Sequence, residues 1–117
     1  IKDAHGSFIQ AREGGRRYCV EWAGWHDWKE RNWKQYEHFR AGLKQGSKGT
    51  FRLGTRGRTP VINKNEALSF ADVVVCFQAF YHHEPRPSQY VWRNINEEFE
   101  KDASLPKSEQ VYVHGYF

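Results

Sequence analysis

Residues 67–83 read "ALSFADVVVCFQAFYHH", and the form this stretch takes decides the fold. From Val73 to Phe80 the run is apolar on both faces apart from Gln78. An uninterrupted run of this kind predicts a central strand, buried on both sides. The "HHEPRPS" that follows is a loop, because Pro85 and Pro87 cannot donate to a ladder. "QYVWRNI" and "QVYVHGYF" predict two further strands. The acidic connector 96–107 between them has room for a helical turn.

Toward the N-terminus, Pro60-Val61-Ile62 opens another strand. The glycine-rich "GSKGTFRLGTRGRTP" has space for a short one around Phe51–Leu53. "SFIQAREGGRRYCVEWAGW" predicts a hairpin, since Gly14-Gly15 supplies the positive φ of a primed two-residue turn. Period-two alternation then sets Trp22 inward with Tyr18 and Val20, while Glu21 looks out. From Trp28 the period changes. Trp28, Trp33, Tyr36, Phe39 and Leu43 recur at helical steps, which predicts one helix near 28–44. Asp27 with Glu30 would open it, and Gly42 and Gly46 would mark its end.

The sum is a mainly β chain folding as a single domain over 1–117. The expected architecture is a β-sandwich of jelly-roll type, cupin-like but without the cupin metal motif. The alternative is an α+β roll with the helix across one sheet. Only 38% of residues are apolar and the mean hydropathy is −0.89. Eight Phe, six Tyr and five Trp make up that shortfall, since each ring buries about 150–250 Å².

Residue 1 is Ile and Met is absent, so the chain is expected to begin at a processed or trimmed end. No apolar run is long enough to span a bilayer, and no membrane partner is expected. Cys19 and Cys76 allow one pairing. They are either two buried thiols or one bridge between distant strands.

Charge divides the chain. Residues 1–66 carry fourteen Lys and Arg against seven Asp and Glu, whereas 67–117 carry four against seven. Between Glu37 and Glu66 there is no acid, yet Arg40, Lys44, Lys48, Arg52, Arg56, Arg58 and Lys64 all occur. This 40–64 stretch is a candidate phosphate or nucleic-acid surface. In "FRLGTRGRTP" the glycines let backbone approach a phosphate while Arg52, Arg56 and Arg58 fork onto its oxygens.

Trp25 and Trp28 flank a turn without a buried periodicity, which is how binding anchors look. Together with Arg52, Arg56, Arg58 and the loop residues His83, Arg86 and Gln89, they form the candidate binding surface.

Catalytic spacing is missing. There is no Walker loop, no G-x-G-x-x-G, no nucleophile elbow and no Cys-His signature. His82 and His83 are adjacent, so on a strand they would point to opposite faces, and the other histidines are scattered. No metal, no cofactor and no enzymatic activity are expected.

Two resemblances add to this. "YCVEWAGW" with Trp33 eleven residues after Trp22 resembles the chromodomain pattern Y-x-V-K-W-x-G-[WYF] followed by T-W-E-P. Here Trp33 is followed by Lys34-Gln35 instead of Glu-Pro. That resemblance implies a methyl-lysine peptide reader with a cage built from rings such as Trp22, Trp25 or Trp33. In general character the chain also resembles the small secreted effectors of plant-pathogenic fungi, the rusts among them. This implies secretion, action inside a host cell, and a host protein or immune receptor as partner. The leading expectation is therefore a monomeric, non-catalytic, secreted interaction protein, with a basic nucleic-acid-binding module and the peptide reader as alternatives.

Overall fold

A computed structural model of the chain describes residues 2–3, 6–25, 36–46, 48–53 and 61–98. In chain order the strands are β1 (Phe8–Gly14), β2 (Arg17–Trp25), β3 (Tyr36–Leu43), β4 (Thr50–Arg52) and β5 (Val61–Asn63). A 3-10 turn (Lys64–Glu66), helix α1 (Phe70–Tyr81) and strand β6 (Tyr90–Asn94) follow. Four strands form an antiparallel sheet in the order β1-β2-β3-β6, and β4 pairs with β5 separately. The described residues are mainly β with one long helix, and the sheet they form does not close into a barrel.

The β1–β2 hairpin forms where expected, one residue later than its glycines suggest. Gly14 pairs with Arg17, so the turn is Gly15-Arg16, and Gly15 takes the positive φ of 67°. β3 runs beside β2 from Trp25↔Tyr36 to Glu21↔Arg40 and then parts from it. Leu68 takes up the freed edge of β2 through two backbone hydrogen bonds with Tyr18, at 2.9 and 2.8 Å.

The stretch from Val73 to Phe80 is helix, not strand. Ser69 caps it: its hydroxyl accepts from the Asp72 amide, and the Asp72 carboxylate accepts from the Ser69 amide and hydroxyl. Val73, Cys76, Ala79 and Phe80 are buried, at three- and four-residue steps. A run apolar all round carries no period to separate strand from helix; the Ser69–Asp72 box is what separates them.

The helix expected near 28–44 is also corrected. Residues 36–43 are β3, and 28–35 lie outside the described residues. Tyr36, His38 and Arg40 are buried on one face of that strand, alternating with Glu37, Phe39 and Ala41. Because His38 and Arg40 are polar, this alternation does not register as a hydrophobic one. Gly42, placed as a helix end, lies inside β3, where a Cβ would come within 2.8 Å of the Asn65 amide.

Neighbouring residues of β2 separate the two faces. Val20 and Trp22 lie under α1 with Ile9, Ala41, Leu68, Val73, Cys76, Phe80 and Tyr90. The Trp22 ring meets Phe80 and Trp92 edge-on, at 5.2 and 5.7 Å between centroids. Trp22 is inward as expected. On the other face, Cys19 packs with Leu53 and Ile62 beneath β4–β5.

Cys19 and Cys76 therefore sit on opposite sides of the sheet, each buried and free, and no bridge joins them. Burial pushes both thiols up to about 12, with Glu21 reinforcing the effect at Cys19 and Asp72 at Cys76.

Candidate functional site

Glu21, expected to face solvent, is 3% exposed on the β4–β5 face of the sheet, where it belongs to a chain of alternating charges. Its carboxylate meets Arg12 at 3.3 Å and Arg40 at 3.4 Å, and accepts from the Gln10 amide at 3.2 Å. Arg40 donates twice to Glu98, at 3.1 and 2.9 Å. Arg93 donates twice to Glu66, both at 2.9 Å, and stands 3.7 Å from Glu98. Burial works against the Arg40 charge, but the carboxylates of Glu21 and Glu98 around it outweigh that and hold it protonated. Arg40 and Arg93 are directly opposed on β3 and β6, a repulsive pairing that Glu66 and Glu98 offset.

Nothing in this network resembles a reaction centre. Three arginines face three glutamates, the charges balance, and the group links β1, β2, β3, β6 and the 3-10 turn. His38, on the same face, lies against Phe8 and Tyr36 at 6.0 and 5.0 Å, and burial lowers its pKa to about 4. Among the described residues, no three His, Cys, Asp or Glu side chains gather as a metal site.

The expected binding residues are dispersed. Trp28, Arg56 and Arg58 lie outside the described residues, as does the side chain of Trp25, whose backbone closes β2 opposite Tyr36. Arg52 is exposed on β4. His83, Arg86 and Gln89 lie in the loop after α1, which is tied down at several points. His83, at φ 57°, donates its amide to Phe80, and Glu84 donates to Ala79. The Trp92 indole donates to the Pro87 carbonyl at 2.9 Å. The Arg86 guanidinium lies 3.9 Å over the Phe39 ring, and its pKa is lowered by burial against the opposing effect of Glu37. Gln89 reaches the Tyr90 hydroxyl at 3.5 Å.

Phe39 pairs with Trp22 on the α1 side of the sheet, whereas β4 packs on the Cys19 side. His83, Arg86 and Gln89 thus share one loop, and Arg52 lies across the sheet from Phe39, over which Arg86 is stacked. Of the rings a methyl-lysine cage would use, Trp22 is committed to packing under α1, and Trp33 is outside the described residues.

One surface was not anticipated. Along the outer side of α1, Phe70, Val74 and Tyr81 are 63%, 36% and 70% exposed. The one charged residue of α1 is Asp72, and it is occupied in the cap and by the Tyr90 hydroxyl at 2.8 Å. A surface helix ordinarily carries charge on its outer face, and this one exposes apolar side chains there instead. Tyr81 adjoins His82 at 5.2 Å and so leads into the Arg86 loop. The signal was present in the sequence, but only a helical reading of 70–81 turns it into a stripe.

No helix among the described residues is long and apolar enough to cross a membrane. No protein-family model matches this chain, and no curated protein or solved structure matches it either.

Proposed function

We propose that this chain is a non-catalytic interaction module that holds a protein partner on the outer face of α1 and the adjoining loop His83–Gln89. The observation that carries this is the exposed, charge-free stripe Phe70, Val74 and Tyr81 on a helix whose inner face is already packed. Its complement is an apolar groove with acidic groups at the rim, placed to meet Arg86 and the two histidines at the end of α1, on a chain of net charge +4. The resemblance in character to small secreted effectors supplies the class of partner, a host protein or an immune receptor, and with it secretion. A jelly-roll sandwich would require a second sheet built around β4–β5, and the proposal does not depend on one.

The test is affinity capture from host extract with three forms of the protein: the natural chain, Phe70→Ser/Tyr81→Ser, and Arg52→Glu. A protein retained by the natural chain and by Arg52→Glu, but lost with the helix variant at unchanged melting temperature, is the expected result. Equal retention by the helix variant overturns the proposal. Dimerisation of the natural chain in sedimentation, abolished by the helix variant, reassigns the stripe to a second copy.

A further inference from the structure

Where β3 ends, the chain turns back along β4–β5 and leaves a cleft of about 420 Å³, lined by Leu43, Lys44, Gly46, Lys48, Gly49, Thr50, Asn63 and Asn65. This falls within the range of about 300–1,000 Å³ seen for small-molecule sites. Its walls are set by close backbone approach. A Cβ on Gly46 would lie 2.8 Å from the Asn65 Cβ and 3.2 Å from its Cα, so only glycine fits there. Asn65 donates to the Leu43 carbonyl at 3.1 Å, and the Lys64 amide donates to the Gly49 carbonyl at 2.9 Å. These contacts join the end of β3 to the 3-10 turn and hold the cleft open before any ligand arrives.

The charge in and around the cleft has one sign. Lys44 and Lys48 line it, and the Lys64 side chain runs beside Gly49, its ammonium 3.9 Å from where a Cβ would stand. Among the described residues, neither an acid nor an aromatic ring lines it. Glu66, next to Asn65, has both oxygens engaged by Arg93, and among the described residues no ion pair forms to Lys44, Lys48 or Lys64. Thr50 and Asn63 add neutral hydrogen-bonding groups to the wall.

We propose that this cleft is a site for a compact, multiply charged phosphate compound, held by the ammonium groups of Lys44, Lys48 and Lys64. The lysines act as point charges on phosphate oxygens. With no ring to stack on a base, the site recognises the phosphate chain itself and not a nucleobase. None of the lining residues belongs to α1, so this site is independent of the protein-binding face.

The test is calorimetric titration with tripolyphosphate, with ATP and a single-stranded RNA oligomer as parallel arms, at low and moderate salt. The expected result is saturable one-site binding of tripolyphosphate, matched by ATP because the nucleoside adds nothing, and weakening with salt. Lys44→Gln and Lys48→Gln each reduce affinity about fivefold or more, as for loss of one nearby cation in a solvated cleft. Both side chains are exposed, so the melting temperature stays as it was. Absence of saturable tripolyphosphate binding overturns the proposal, as does binding that both substitutions leave unchanged. Binding of RNA alone also overturns it and assigns the basic stretch to nucleic acid.

Discussion

Arg40 and Glu98 lie 58 positions apart in the chain and are joined by two parallel hydrogen bonds, Nη1 to Oε1 at 3.1 Å and Nη2 to Oε2 at 2.9 Å. The arginine is 2% exposed, at the centre of a sheet face, and its Nε has no partner among the described residues. A buried guanidinium depends on the carboxylates around it, because desolvating a charge is tolerated only when the charge is paired. Removing the arginine takes from Glu21 its buried cation and leaves the carboxylate to the half-exposed Arg12 and the Gln10 amide.

Arg40→Ala is accordingly expected to destabilise the protein by about 3–5 kcal/mol in urea denaturation, as for other broken buried pairs. Arg40→Met together with Glu21→Gln should recover a substantial part of that loss. A single-variant loss below about 1 kcal/mol would show that water reaches the network and screens it.

The Ser69 cap is testable separately. Ser69→Ala removes the acceptor for the Asp72 amide and should cost about 1 kcal/mol. Ser69→Gly should cost only a few tenths. An unchanged urea midpoint in Ser69→Ala would mean that tertiary packing alone holds the first turn of α1.

His38 makes stability depend on pH on the acid side of neutrality. Its folded-state pKa is lowered to about 4 by burial, against an ordinary 6.5. Above 6.5 both states are neutral there and His38 adds no slope. Between 6.5 and 4 the unfolded chain binds a proton that the folded chain refuses, so stability falls as pH falls, by at most about 1.4 kcal/mol per unit. His38→Phe should flatten the urea midpoint over that window. An unaltered profile would show that the imidazole takes up its proton in place.

Asp72 acts in the same direction at lower pH. Burial favours its neutral form, but the Tyr90 hydroxyl and the Ser69 amide and hydroxyl outweigh this and hold the pKa below the ordinary carboxylate value. Its contribution is present above that ordinary value and lost as pH falls through the folded one. Asp72→Asn should therefore remove part of the stability loss below about pH 4. Identical acid-unfolding curves for the two proteins would rule that contribution out.

With both thiols buried and raised to about 12, Cys19 and Cys76 should resist alkylation in the folded state and react fully in denaturant. Intact mass under non-reducing conditions should match two free thiols. A mass two hydrogens lower would establish a bridge and contradict the placement of the two residues on opposite faces of the sheet.

The elements that announced themselves do so by local chemistry. The β1–β2 hairpin, β5 and β6 set strand-forming runs beside turn residues, the proline loop is marked by Pro85 and Pro87, and each formed within a residue or so of expectation. β3 could not be read this way, since its buried residues include His38 and Arg40, and a charge at a core position looks like surface until its partners are known. The partners of Arg40, Glu21 and Glu98, come from β2 and the chain after β6. The candidate face on α1 was hidden for a related reason. Phe70, Val74 and Tyr81 form a stripe only on a helix, and a stretch apolar on every side gives no hint of which side is covered.

The amino-acid order alone determined the aromatic core, the Trp22 face, the hairpin and the basic 40–64 stretch, because each rests on near neighbours in the chain. Tertiary structure decided the rest. It set Cys19 and Cys76 on opposite faces, separated Arg52 from Arg86, buried Arg40 among glutamates, and left the outer side of α1 uncovered. Which side of an element meets the sheet, and whether a charge can be buried, depend on groups that only the folded chain brings together.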